Sequence, residues 1–195
     1  EDGNRVPSQL VTTEDGTELW FLATVPSCGY RTFWLQEDES GNAAQDAGTT
    51  GQGAEGLGEK GGRWETDLLL LEFDDKGRIV RLYDKEAGRE VVPSGSVANQ
   101  FQMFHDRPSQ YDAWNIDRRM VNGAFEEAAF EGCKVRHTGL VCDVIRFRWS
   151  IGSSRIEQDV ILYKHSPRVD FDTRVDWQED HKMLKVAFPG EGRAP

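Results

Sequence analysis

Apolar and polar residues alternate most clearly in the last third of the chain, where Ile145, Phe147, Trp149 and Ile151 are separated by Arg146, Arg148 and Ser150. A period of two puts one set on a core face and the other in water, and it predicts a strand closed by the turn Gly152-Ser153-Ser154. The same rule holds in VDFDTRVDW: Val169, Phe171, Val175 and Trp177 share one face, and Asp170, Asp172, Arg174 and Asp176 share the other. Between them RIEQDVILYKHSPR reads as a further strand, stopped at Ser166-Pro167 because proline has no amide hydrogen to give a ladder. Three successive strands predict an antiparallel meander.

Upstream, DLLLLEF and RIVRLYD are joined by Asp74-Asp75-Lys76-Gly77, where glycine can take the positive φ that closes a hairpin, and a second turn is expected from Asp84 to Gly88. ELWFLATVPSCGYRTFWLQ holds two apolar runs parted by Pro26 and Gly29, and both read as β-structure. In NGAFEEAAFEG the two phenylalanines are badly spaced for a helix face, so this stretch reads as loop or strand. From Glu37 to Gly62 Leu57 alone supplies a large aliphatic side chain, which predicts a flexible Gly/Ala-rich insertion. The expected organisation is therefore N-terminal strands in 1–36, the insertion in 37–62, a β core in 63–189 and a tail in 190–195. One-sided strands need a second layer to cover them, so the fold class is mainly β, an antiparallel β-sandwich.

Length and charge narrow the partners. A chain of 195 residues can bury one sizeable core, and a formal net charge of -11, from 34 acidic and 23 basic residues, works against binding phosphate backbones or anionic lipid. Nucleic acid and membrane are accordingly not expected as partners. No apolar run approaches the ~20 residues that span a bilayer, and EDGNRVPSQL lacks the basic and apolar regions of a signal peptide. Cys28, Cys133 and Cys142 form no CxxC pair, which fits a reducing compartment and a cytoplasmic location.

Candidate chemistry concentrates in NQFQMFHDRPSQYDAWNID, residues 99–117. Asp112 and Asp117 lie beside Tyr111 and Trp114, and sugar hydrolysis needs paired carboxylates next to flat apolar surfaces on which pyranose rings stack. Asp is also common in turns, because its carboxylate bonds the local backbone. The residues alone leave a catalytic centre, a sugar-binding wall and a loop anchored by its aromatics all open. His105 and Asp106 show no metal-ligand spacing with His137, His165 or His181, and no metal is expected within this segment. Neither a GxSxG elbow nor a phosphate-cradling glycine loop is present.

Three blocks in order, LLLLEFDDKGRIVRLYDKEAGREVV, SVANQFQMFHDRPSQYDAWNID and IEQDVILYKHSPRVDFDTRVDWQEDHKMLKVAFP, resemble the C-terminal β-sandwich region of family 38 glycoside hydrolases, the α-mannosidases, and most nearly their cytosolic and bacterial branch. The resemblance rests on Gln100, Phe101, Asp106, Pro108, Asp112, Ala113, Trp114 and Asp117, and on Ser166, Pro167, Arg168, Asp170, Phe171, Asp176, Trp177, His181 and Lys182. Two positions depart: Asn115 stands where the family has Asp, and Tyr111 where Trp is common.

The resemblance implies a supersandwich-like β-region that is an incomplete fragment of a larger multidomain enzyme. That enzyme would hydrolyse terminal α-linked mannose with retention, using an Asp nucleophile and a zinc ion held in an N-terminal catalytic domain. It implies no catalytic residue and no cofactor in this segment, which would be inactive alone. The partners implied are the catalytic domain and a mannose-containing oligosaccharide, within a homo-oligomeric parent. Tyr111, Asp112, Trp114, Asp117 and Asp106 are the candidates to border a substrate cleft, with Phe101 and Phe104 inward and Pro108 fixing a turn. The alternatives are a stand-alone carbohydrate-binding β-module and a structural interaction domain whose aromatic loop is core.

Overall fold

The alternation around Trp149 builds the longest hairpin of the structure. In a computed structural model that describes residues 5–13, 16–36, 55–58, 61–111, 114 and 116–190, β11 (Cys142–Ile151) and β12 (Ser154–Tyr163) pair along ten rungs. Gly152, at φ 58°, closes the turn between them with the positive φ that tight hairpins require. β10 (Ala129–His137) and β13 (Val169–Asp176) complete a four-stranded antiparallel meander in the order β10-β11-β12-β13. The expected meander is thus present, with one more strand, and NGAFEEAAFEG supplies β9 (Glu126–Glu127) and the start of β10.

Ile145, Phe147, Trp149, Ile151, Ile156, Val160 and Leu162 all face the core. On the opposite face Arg146 lies across from Asp159 and Arg148 from Glu157, with Arg146 Nε 2.6 Å from Asp159 Oδ1 and Arg148 Nε 2.8 Å from Glu157 Oε2. β13 keeps its period only in part. Val169 and Phe171 pack against the core, but Val175, towards the end of this edge strand, is exposed.

A second sheet has the order β3-β4-β5-β6-β7, from β3 (Glu55–Gly58), β4 (Gly61–Glu65), β5 (Leu69–Phe73), β6 (Ile79–Asp84) and β7 (Arg89–Glu90). The β5–β6 turn forms as expected. Asp74 Oδ1 accepts the amides of Lys76 at 3.0 Å and Arg78 at 2.9 Å, and Gly77 takes φ 71°. A third sheet, β14-β8-β9, is centred on β8 (Gln100–His105), which β14 (Lys182–Ala187) flanks on one side.

The sheets close on one core. Phe73 meets Phe147 at 4.8 Å between ring centroids, and Phe101 meets Trp149 at 5.1 Å. The Trp149 indole donates to the Lys76 carbonyl at 2.9 Å, so the β5–β6 turn is tied to β11. Asp143 is only 1% exposed. Its carboxylate accepts the Trp64 indole N–H at 2.9 Å and is ion-paired to Lys164. Burial of a charge is tolerable only with such partners.

A two-stranded sheet, β1 (Ser8–Thr12) with β2 (Thr17–Phe21), lies against the start of β11. The buried Gln9 side chain does the work of a neighbouring strand there. Its Oε1 accepts the amides of Val141 at 2.8 Å and Cys142 at 2.9 Å, and its Nε2 donates to the Cys142 carbonyl at 3.0 Å.

Two expectations need correction, and one element was not anticipated. The run after Pro26 forms no strand, and Tyr30, Trp34 and Leu35 are exposed, because no neighbouring strand pairs with this segment among the described residues. Within 37–62, Glu55–Gly58 forms β3 and Gly61-Gly62 opens β4, since pairing to β4 and β5 supplies the backbone bonds that composition did not announce. The remainder of that segment, 37–54 and 59–60, and the tail beyond Gly190 lie outside the described residues. Finally, a single helical turn, α1 (Arg118–Val121), interrupts the strands.

Candidate functional site

Strand β8 positions the aromatic loop. Its apolar residues Phe101, Met103 and Phe104 are buried, as the inward placement of Phe101 and Phe104 requires. Phe104 packs on Phe125 at 5.6 Å, with the Lys185 ammonium 4.9 Å from its ring centroid. Just before the strand, buried Asn99 takes φ 56° and donates from Nδ2 to Gln158 Oε1 at 2.7 Å. Gln100 donates to Glu127 Oε1 at 2.7 Å. Glu127 also accepts Lys76 Nζ and Arg78 Nη1, each at 2.7 Å. Burial alone would raise the Glu127 carboxyl, but the hydrogen bonds from Lys76, Gln100 and Arg78 hold it below the usual carboxylate range.

Beyond His105 the chain leaves the sheet, and the Asp106 amide makes a last bond to the His181 carbonyl at 2.7 Å. The loop then tightens. Tyr111 adopts φ 58°, a conformation that bulky residues seldom take, and its carbonyl accepts the Trp114 amide at 2.8 Å. Tyr111 is 68% and Trp114 88% exposed. The Asp117 carbonyl then accepts the Met120 amide at 2.8 Å, which opens α1.

An open cleft of about 480 Å³ sits at the base of this loop, lined by His105, Arg107, Asp117, Met120, Gly123 and Ala124. Of the sequence candidates, Asp117 lines it. Asp106 lies at the end of β8 between the lining residues His105 and Arg107, and Tyr111 and Trp114 stand exposed on the loop above. Asp112, with Ala113 and Asn115, lies outside the described residues. His105 and Arg107 were missed as site residues. Their signal was the two-residue spacing of polar side chains at the end of an apolar strand.

The donors and acceptors here suit hydroxyl recognition: a guanidinium donates, a carboxylate accepts and an imidazole does either. Asp117 is the one carboxylate among the residues named as lining the cleft. The zinc ion implied by the resemblance finds no fit here. No group of three or more His, Cys, Asp or Glu side chains is placed to hold a metal among the described residues. No helix among the described residues is long and apolar enough to cross a membrane.

A profile described as "Glycosyl hydrolases family 38 C-terminal domain" matches residues 64–194, which takes in the β8 strand, the aromatic loop and the cleft. The chain belongs to that family. Among similar proteins, Alpha-mannosidase 2C1 of Homo sapiens is 34% identical over 137 residues, which are 67% of this chain and 13% of that protein. Alpha-mannosidase G of Dictyostelium discoideum is 31% identical over 137 residues, 67% of this chain and 12% of that protein. The chain thus aligns with only about an eighth of the length of these relatives. Within this family 38 C-terminal domain, the matched span starts at Trp64 and takes in the core from β5 onward. β1 and β2 precede it.

Proposed function

We propose that this chain is the non-catalytic β-domain of an α-mannosidase that removes terminal α-linked mannose from oligosaccharides. It scaffolds the catalytic domain and borders the substrate cleft with its aromatic loop. The observation that carries the reading is the contrast within residues 99–117: Phe101, Met103 and Phe104 are buried in the central strand of a sheet, while Tyr111 and Trp114 are held out from it. A loop rigid at its base and aromatic at its tip is how a scaffold presents a stacking surface to a sugar ring. His105, Arg107 and Asp117 at its foot would meet ring hydroxyls. In this reading nucleophile and metal both belong to the catalytic domain, so the chain's own residues bind and orient and do no bond-breaking.

The test is an aryl α-mannoside assay of the full-length enzyme and of this chain alone. Hydrolysis by the first and none by the second is expected, and turnover by the chain alone would sink the reading. Exposure of Tyr111 and Trp114 also favours a second reading, a sugar-binding module that works without a catalytic partner. Titration of mannose against tryptophan fluorescence separates the two, since saturable quenching by the chain alone, lost in Trp114→Ala, belongs to the module.

A further inference from the structure

We propose that the outer face of the β1–β2 hairpin, with the loop running on to Leu35, is the surface by which this domain docks on the rest of the α-mannosidase polypeptide. The proposal rests on the reading of the chain as a domain of that enzyme.

The hairpin carries apolar side chains on both faces. Its inner face is used up, because Gln9 and Val11 are buried and Gln9 bonds the start of β11. On the outer face Leu10 lies directly across from Leu19, and Phe21 follows Leu19 on the same side by the two-residue period. Both leucines and Phe21 are exposed. The loop then returns, with the Phe33 ring tilted against Phe21 at 5.2 Å between centroids and Trp34, next in sequence, 87% exposed. A wet strand face in this protein looks different: β11 and β12 dress theirs with Arg146, Arg148, Glu157 and Asp159 in cross-strand ion pairs. Contiguous exposed apolar side chains of this kind mark an interface.

What covers it follows from the comparisons. The aligned part is 12–13% of each relative, so most of such a polypeptide lies elsewhere. The family is that of a C-terminal domain, and the apolar face, at residues 10–34, precedes the matched span 64–194. In a C-terminal domain the rest of the polypeptide precedes it in sequence, so residues 10–34 are nearer to the join than the matched span. A second copy of this chain is the poorer occupant, because each copy carries a formal net charge of -11 and like charges oppose association.

The experiment places Leu19→Lys and Trp34→Ser, separately and together, in both the 195-residue chain and the full-length enzyme. In the short chain the melting temperature should fall by only a few degrees at most, since Trp34 is 87% and Leu19 39% exposed. In the full-length enzyme, limited proteolysis should release this domain about tenfold faster or more in the double variant, as expected when interface anchors are removed. Release at the wild-type rate overturns the proposal, even where the full-length enzyme hydrolyses an aryl α-mannoside and the parent reading stands. A short chain that sediments as a dimer, and becomes a monomer on Trp34→Ser, also overturns it in favour of self-association. Absence of hydrolysis by the full-length wild type would fault the parent reading instead, and the release rate would still report on this face.

Discussion

Replacing Trp114 by Ala separates a presented aromatic from a core one. A buried Trp side chain removes about 200 Å² from water, worth about 5 kcal/mol at about 25 cal/mol per Å². Trp114 is 88% exposed, so about one-eighth of that, roughly 0.6 kcal/mol, is at stake. Phe101, in the same signature, is 5% exposed, and its truncation should cost about 3–5 kcal/mol. For a domain of this size about 1 kcal/mol moves the melting temperature by about 2–4 °C. Calorimetry of the two variants should therefore show a drop of about 2 °C for Trp114→Ala and about 10 °C or more for Phe101→Ala. A drop for Trp114→Ala as large as that for Phe101→Ala would refute the argument. It would restore the loop as core, the role that the exposure of Trp114 removes.

Gly77→Ala forces a side chain into φ 71° and sets its Cβ 2.8 Å from the Phe130 ring, so a loss of about 1–3 kcal/mol is expected in urea unfolding. Lys164→Met leaves the Asp143 carboxylate buried without its cation and should cost about 3 kcal/mol, whereas adding Asp143→Asn should recover part of it in a double-mutant cycle. Glu127 has a lowered carboxyl, so its contribution is present above the unfolded carboxylate value of about 4.3 and is lost as pH falls through the folded one; acid unfolding of Glu127→Gln should be less pH-dependent below about pH 4. The Tyr163 hydroxyl is pushed up to about 12 by burial and by its bond to Asp170, so stability is kept below the unfolded value of about 10 and declines above it; alkaline melting of Tyr163→Phe should lack that part of the decline.

Strands carrying their own period were legible in the sequence. Ile145 to Ile151 and the Asp74–Gly77 turn needed nothing beyond neighbours in the chain, and both folded as read. Elements whose partners are distant were not. Glu55–Gly58 has no apolar alternation and exists by pairing with β4. The segment ending in Tyr30, Phe33, Trp34 and Leu35 has the composition of a strand and no strand beside it. Asp143 resembles a break in an apolar run, and only the fold brings Trp64 and Lys164 to its carboxylate. At the cleft, Asp117 was named from the sequence for its carboxylate, whereas His105 was weighed only as a metal ligand and Arg107 not at all, because a search for paired acids has no reason to stop at a cation.

That selection matters for what the cleft can do. Asp117 shares the cleft with Arg107 and His105, a set whose donors and acceptors suit hydroxyl groups. The aromatic pair above is exposed at one end of a strand whose other contacts are all spent: β8 is flanked by β14 and β9, and Phe101 is packed on Trp149. Under the proposed reading, the catalytic domain supplies the opposite side of this cleft. An apolar face is likewise left open at the β1–β2 hairpin, in contrast to the ion-paired outer face of β11 and β12. Under the proposed reading, the catalytic domain meets both the aromatic loop and the apolar face of the β1–β2 hairpin.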